Sequence, residues 1–163
     1  MTEKDASRLV PGGASARAPQ PAILLTQIAS AEALAATCAL HDLEILAFDS
    51  ELGAFGVTDA DSAPTVARTL SAAVSSVPFL ELSVRDDRLS AHRWENGEQG
   101  EDVPAALILD SLPERVEQVL LGQATDADLS AGVRASSLGR WKTMRILAKS
   151  SRRSRGDREV ADG

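Results

Sequence analysis

The stretch from Phe79 to Val103 constrains this chain more than any other. From Leu80 to Val84 apolar and polar side chains alternate, the period of a strand with one buried face. Asp86-Asp87 breaks the run as a turn, Arg88 to Glu95 forms a second strand, and Asn96-Gly97 is a preferred two-residue hairpin turn. Both central positions of such a turn need positive φ, which Asn and Gly tolerate best. A three-stranded meander is predicted over 79–103. With Asp86 and Asp87 as the loop, Arg85 faces Arg88, Val84 faces Leu89 and Leu82 faces Ala91. These apolar partners share one face, while Ser83 with Ser90, Glu81 with His92 and Phe79 with Trp94 share the other. Sliding the pairing by one residue would scatter the apolar set over both faces.

The flanking segments fill in a fold. Ala22–Ile28 is a short apolar run, either a first strand or the lead-in to a helix. Ser30 then caps a helix over about 31–40, with Glu32 in its first turn. Leu43–Asp49 and Gly53–Thr58 are strand-length runs joined by a polar break, as in a hairpin. Asp61-Ser62-Ala63-Pro64 opens a helix whose stripe is Val66, Leu70, Ala73, Val74 and Val77, and Pro78 stops it. Pro104–Asp110 is another strand or a connection. Ser111-Leu112-Pro113-Glu114 has the capping-box pattern for a helix ending at Gly122. Thr125-Asp126-Ala127-Asp128 opens a last helix predicted to reach Lys149, weakened at Gly132 and Gly139 by about 1 kcal/mol each.

The fold class expected is therefore α+β. It is a single domain with a mainly antiparallel sheet, hairpin plus three-stranded meander, packed with three to four helices. A length of 163 residues fits one domain. The divisions expected are a disordered arm at 1–20, the α+β body at 21–124, a basic helix at 125–149 and a disordered tail at 150–163. The element order is similar to that of roadblock-type dimerisation domains and, less closely, of secretion-chaperone folds. That resemblance is one of topology, carried by no motif residue.

Charge is unevenly placed. The net charge is −7, yet residues 1–133 hold 8 basic and 21 acidic side chains, against nine basic and three acidic from 134 onward. Between Arg134 and Arg155 there are eight cations and no acid. Aromatic residues make up only 3%, so Phe48, Phe55, Phe79, Trp94 and Trp141 each carry positional information. No apolar run reaches the ~18 residues of a membrane span. Met1–Asp5 lacks the basic and apolar start of a signal peptide, so a cytoplasmic location is the expectation. The preference for Arg over Lys and the abundance of Ala are common in GC-rich bacteria.

Most candidate chemistry has a bland explanation. Cys38 is the single cysteine and lies in an Ala-rich stretch, so it reads as a small buried hydrophobe. Cys38-x-x-His41 places two metal-ligand types one helical turn apart, short of the four a structural zinc site needs. Asp59-x-Asp61 and Asp126-x-Asp128 resemble the start of a calcium loop but lack its glycine and distal Glu, and both sit where helices need caps. Glu81 opposite His92 reads first as a cross-strand polar pair and second as a general-base pair. No catalytic residue, metal or cofactor is expected, and no small-molecule substrate is evident.

Two features remain. Phe79 and Trp94, with Glu81 and His92 beside them, form either a second core under a helix or an exposed patch for a protein partner or a second copy. The exposed reading makes the chain a non-enzymatic adaptor, expected to be a homodimer. The basic segment gathers Val133, Trp141, Met144, Leu147 and Ala148 on one side of a helical wheel. Arg134, Arg140, Lys142, Arg145, Lys149, Arg152, Arg153 and Arg155 supply its charge. The alternative function is a regulator that docks through these residues on an anionic membrane surface or, less well suited to the acidic body, a nucleic acid.

Overall fold

In the computed structural model, which describes residues 20–162 (side chains at 151 and from 153 onward aside), the elements follow the expected order as far as β6. They are β1 (Pro21–Leu25), α1 (Ala31–Leu40), β2 (Leu46–Phe48), β3 (Phe55–Asp59), α2 (Ala63–Ala73), β4 (Phe79–Arg85), β5 (Arg88–Glu95) and β6 (Glu98–Asp102). There follow α3 (Ala105–Leu109), α4 (Glu114–Leu120), α5 (Asp126–Ser130), β7 (Val133–Arg134), a 3₁₀ turn (Ala135–Ser137) and α6 (Arg140–Asp162). The expected arm at 1–20 lies, but for Gln20, outside the described residues.

The seven strands form one sheet in the order β6-β5-β4-β1-β3-β2-β7. Neighbouring pairs are antiparallel throughout. The α+β class, the hairpin (β2–β3) and the meander (β4–β6) stand as expected. Phe79 pairs with Trp94, Glu81 with His92, Leu82 with Ala91, Val84 with Leu89 and Arg85 with Arg88, the register the turns dictate. The turns have the geometry their residues favour: φ is 51° and 59° at Asp86 and Asp87, and 54° and 80° at Asn96 and Gly97. The opening apolar run is β1. It lies centrally, joining the hairpin to the meander through β3 and β4.

Each sheet face has its own core. On one, α1, α2 and the start of α6 cover Leu24, Ile45, Ala47, Phe79 and Trp94. On the other, the short helices α3 and α4 supply Ile108, Val116, Val119 and Leu120 over Ile23, Phe55, Leu82 and Ala91. Phe48 and Phe55 stack there at 5.2 Å between ring centroids. The α1 N-terminus is fastened twice. Ser30 Oγ accepts from the Ala33 N–H at 3.2 Å, and Asp49 Oδ1 accepts from the Ala31 N–H at 2.7 Å.

Three expectations are corrected. Pro104–Asp110 is helical from Ala105, not a strand. The helix beginning at Glu114 has Pro113 at its cap with no side-chain cap bond, so Ser111 does not form a capping box. The box forms instead at Thr125–Asp128, with both reciprocal bonds present. The helix expected over 125–149 is interrupted: α5 stops at Ser130, β7 pairs with β2, and helix resumes only at Arg140. From there α6 continues through 150–162, where the sequence had suggested no order.

Gly132 explains the interruption better than its low helix propensity does. A Cβ at this position would meet Leu46 Cδ1 and Cγ at 2.7 Å and Phe48 Cζ at 2.8 Å. The Phe48 ring is buried and stacked on Phe55, so pushing it aside disturbs a packed pair. Only glycine lets β7 lie this close to β2. In a continuous exposed helix, Gly132→Ala would stabilise by about 1 kcal/mol. Here it is expected to destabilise by about 1–3 kcal/mol through overpacking, so the sign of the shift in a urea unfolding midpoint decides between the two arrangements.

Candidate functional site

The meander's aromatic pair forms where the sequence placed it, but it is not a surface. Phe79 is fully buried and Trp94 is 2% exposed. The cause is α2, whose apolar stripe lies across β4, β5 and β6. Ser71, on the inner side of that helix, accepts from the Gly97 N–H at 3.0 Å and ties the helix to the hairpin turn. The Arg68 guanidinium sits 5.9 Å from the Trp94 ring centroid. Glu81 is buried and accepts the Trp94 Nε1–H at 2.7 Å. His92 turns to Asp102 instead, with Nδ1 and Oδ1 2.7 Å apart on the outer strand pair. The exposed patch expected from Phe79, Glu81, His92 and Trp94 is thus corrected: α2 makes the two rings core, and Glu81 and His92 have separate partners.

The α6 helix presents the opposite case. Three rows of side chains run along it at spacings of three and four. Thr143, Leu147 and Ser150, with Ile146 beside them, turn inward against α1, and Thr143 is 4% exposed. Trp141, Met144 and Ala148 form a second row that is exposed, Trp141 at 86% and Met144 at 57%. Lys142, Arg145, Lys149 and Arg152 form a third, also exposed, adjacent to the second. Leu147, grouped with Trp141 in the sequence reading, belongs to the inward row. Arg140 is exposed at the helix start. Arg134 stands apart on β7, lining a groove with Asp42, Glu44, Asp59 and Asp61. The side chains of Arg153 and Arg155 lie outside the described residues.

The remaining candidates resolve as local structure. Burial, and secondarily the charge of Glu44, pushes the Cys38 thiol up to about 12, which keeps it protonated and unreactive near neutral pH. His41 is exposed at the end of α1 while Cys38 is buried, so they present no common face for a metal. Asp59 Oδ1 accepts from the N–H groups of Ser62 at 2.9 Å and Asp61 at 3.1 Å. Hydrogen bonding, that to Ser62 foremost, holds its carboxyl below the ordinary range. Hydrogen bonds to Thr125 do the same for Asp128 in its capping box. Among the described residues no group of three or more His, Cys, Asp or Glu could hold a metal ion, and no helix is long and apolar enough to cross a membrane.

A cleft of about 400 Å³ lies where the ends of β1 and β4 meet the β2–β3 loop. Leu25, Leu52, Pro78, Leu80 and Val103 make it mostly apolar, with Arg93 at its rim. Arg93 Nη2 is 3.4 Å from Glu95 Oε2, so its charge is already directed elsewhere. Sequence reading missed this cleft because its walls come from segments far apart in the chain. No family model, no curated protein and no solved structure matches this chain.

Proposed function

We propose that the chain is a binding protein whose working surface is the outward side of α6 and whose partner carries dense negative charge. The observation that carries this reading is Trp141, 86% exposed beside a row of cations on a helix whose opposite side is fixed to the body. A free-standing exposed tryptophan is costly to leave in water and useful once covered. The charge arrangement points the same way. Arg140 and Lys142 occupy the first turn of α6, which holds no acid, although the helix dipole disfavours cations there by about 0.3–1 kcal/mol each. Helix stability does not account for that placement, whereas attraction to an anionic partner does. Binding through the Phe79 and Trp94 face, by contrast, has no exposed aromatic to act through.

The test is retention of the full-length protein on a heparin resin. Despite a net charge of −7, the wild type is expected to bind at low salt and elute as salt rises, because the contact is electrostatic and screened. Passage through the resin at the lowest salt, as its overall charge alone would dictate, rules the reading out.

A further inference from the structure

Given that reading, we infer that the anionic partner is a lipid bilayer, on which α6 lies flat with Trp141 and Met144 entering the headgroup layer. The inference rests on the two exposed rows being different in kind and side by side. Trp141, Met144 and Ala148 supply an apolar wedge, and Lys142, Arg145, Lys149 and Arg152 supply a line of charge next to it. An interfacial helix needs both, since burial of apolar side chains and attraction to acidic headgroups add, and either alone gives weak attachment. Tryptophan favours that layer because its ring is apolar and its N–H is polar.

The shape of the contact fits a plane. From Arg140 to Arg152 the helix advances about 18 Å, and the inward row of Thr143 and Leu147 prevents it from rolling on α1. Only the outward rows then meet a flat surface, and the body, with 19 acids against 5 cations in residues 20–133, stays behind the helix. A nucleic acid would have to be held by the same cations without use for Met144. Wherever it extended past the helix its phosphates would approach the acidic body within a screening length of ~8 Å.

Fluorescence separates the possibilities. The chain has two tryptophans, and Trp94 is already buried, so a shift in emission on binding reports Trp141. Full-length protein is titrated with vesicles of equal parts phosphatidylglycerol and phosphatidylcholine, with vesicles of phosphatidylcholine alone, and with single-stranded RNA. A blue shift with the mixed vesicles only, and roughly tenfold weaker binding of Trp141→Ala to those vesicles when followed by sedimentation, is the expected result. Heparin retention without vesicle binding, or tighter binding to RNA than to mixed vesicles at equal salt, overturns the bilayer assignment and leaves the polyanion reading intact. No binding to any of the four overturns both.

Discussion

Trp94→Ala is expected to lower the free energy of unfolding by about 3–5 kcal/mol, the range for removing a large buried ring. Three losses coincide. The indole fills the space between α2 and the meander opposite Phe79, and a cavity replaces it. Glu81 loses the N–H that it accepts at 2.7 Å and stays buried with that partner gone, a penalty of about 1–3 kcal/mol for an ordinary buried polar group. The Arg68 guanidinium loses the ring beneath it. Trp94→Phe keeps a ring and is expected to cost less. Small domains have only about 5–15 kcal/mol in total, so urea unfolding should show a large shift in midpoint with Trp94→Ala. A loss below 1 kcal/mol would mean that the ring is not core.

The second large effect falls on binding and spares stability. Replacing Lys142, Arg145, Lys149 and Arg152 together with glutamine removes the exposed charged row of α6. A cation near an acidic membrane surface contributes about 1 kcal/mol, so four give a loss on the order of 10³-fold in affinity for anionic vesicles. These side chains are exposed, and such substitutions usually change stability by no more than about 0.5 kcal/mol each. The variant should therefore unfold at nearly the wild-type urea concentration while failing to sediment with phosphatidylglycerol vesicles. Unchanged sedimentation would show that some other surface binds.

What could be read from the sequence was what neighbouring residues decide among themselves. Asn96-Gly97 and Asp86-Asp87 determine their own turns, and the turns determine the β4–β5 register down to the Phe79–Trp94 pair. Long-range placement was not legible. Nothing in Ala22–Leu25 says that it separates the hairpin from the meander, because a continuous apolar run marks a buried segment without naming its neighbours. The stripe on α2 was visible, but not that it would cover Phe79 and Trp94, which turned an expected surface into core. Gly132 looked like a weak point in a helix, and its contact with Leu46 and Phe48 is made by residues more than eighty positions away. That misreading blurred the site as well. A wheel that included Val133 mixed a β7 residue into the helical pattern, and the three rows of α6 separate only once the helix starts at Arg140.

Acrylamide quenching of the two tryptophans, one at a time, tests the account most directly. Trp141→Phe leaves Trp94 as the reporter, and Trp94→Phe, if folded by circular dichroism, leaves Trp141. Trp94 should emit as a buried indole and resist the quencher with or without anionic vesicles. Trp141 should be quenched freely in buffer and protected once the vesicles are added. A quencher-accessible Trp94, or a Trp141 equally exposed with and without vesicles, would contradict it.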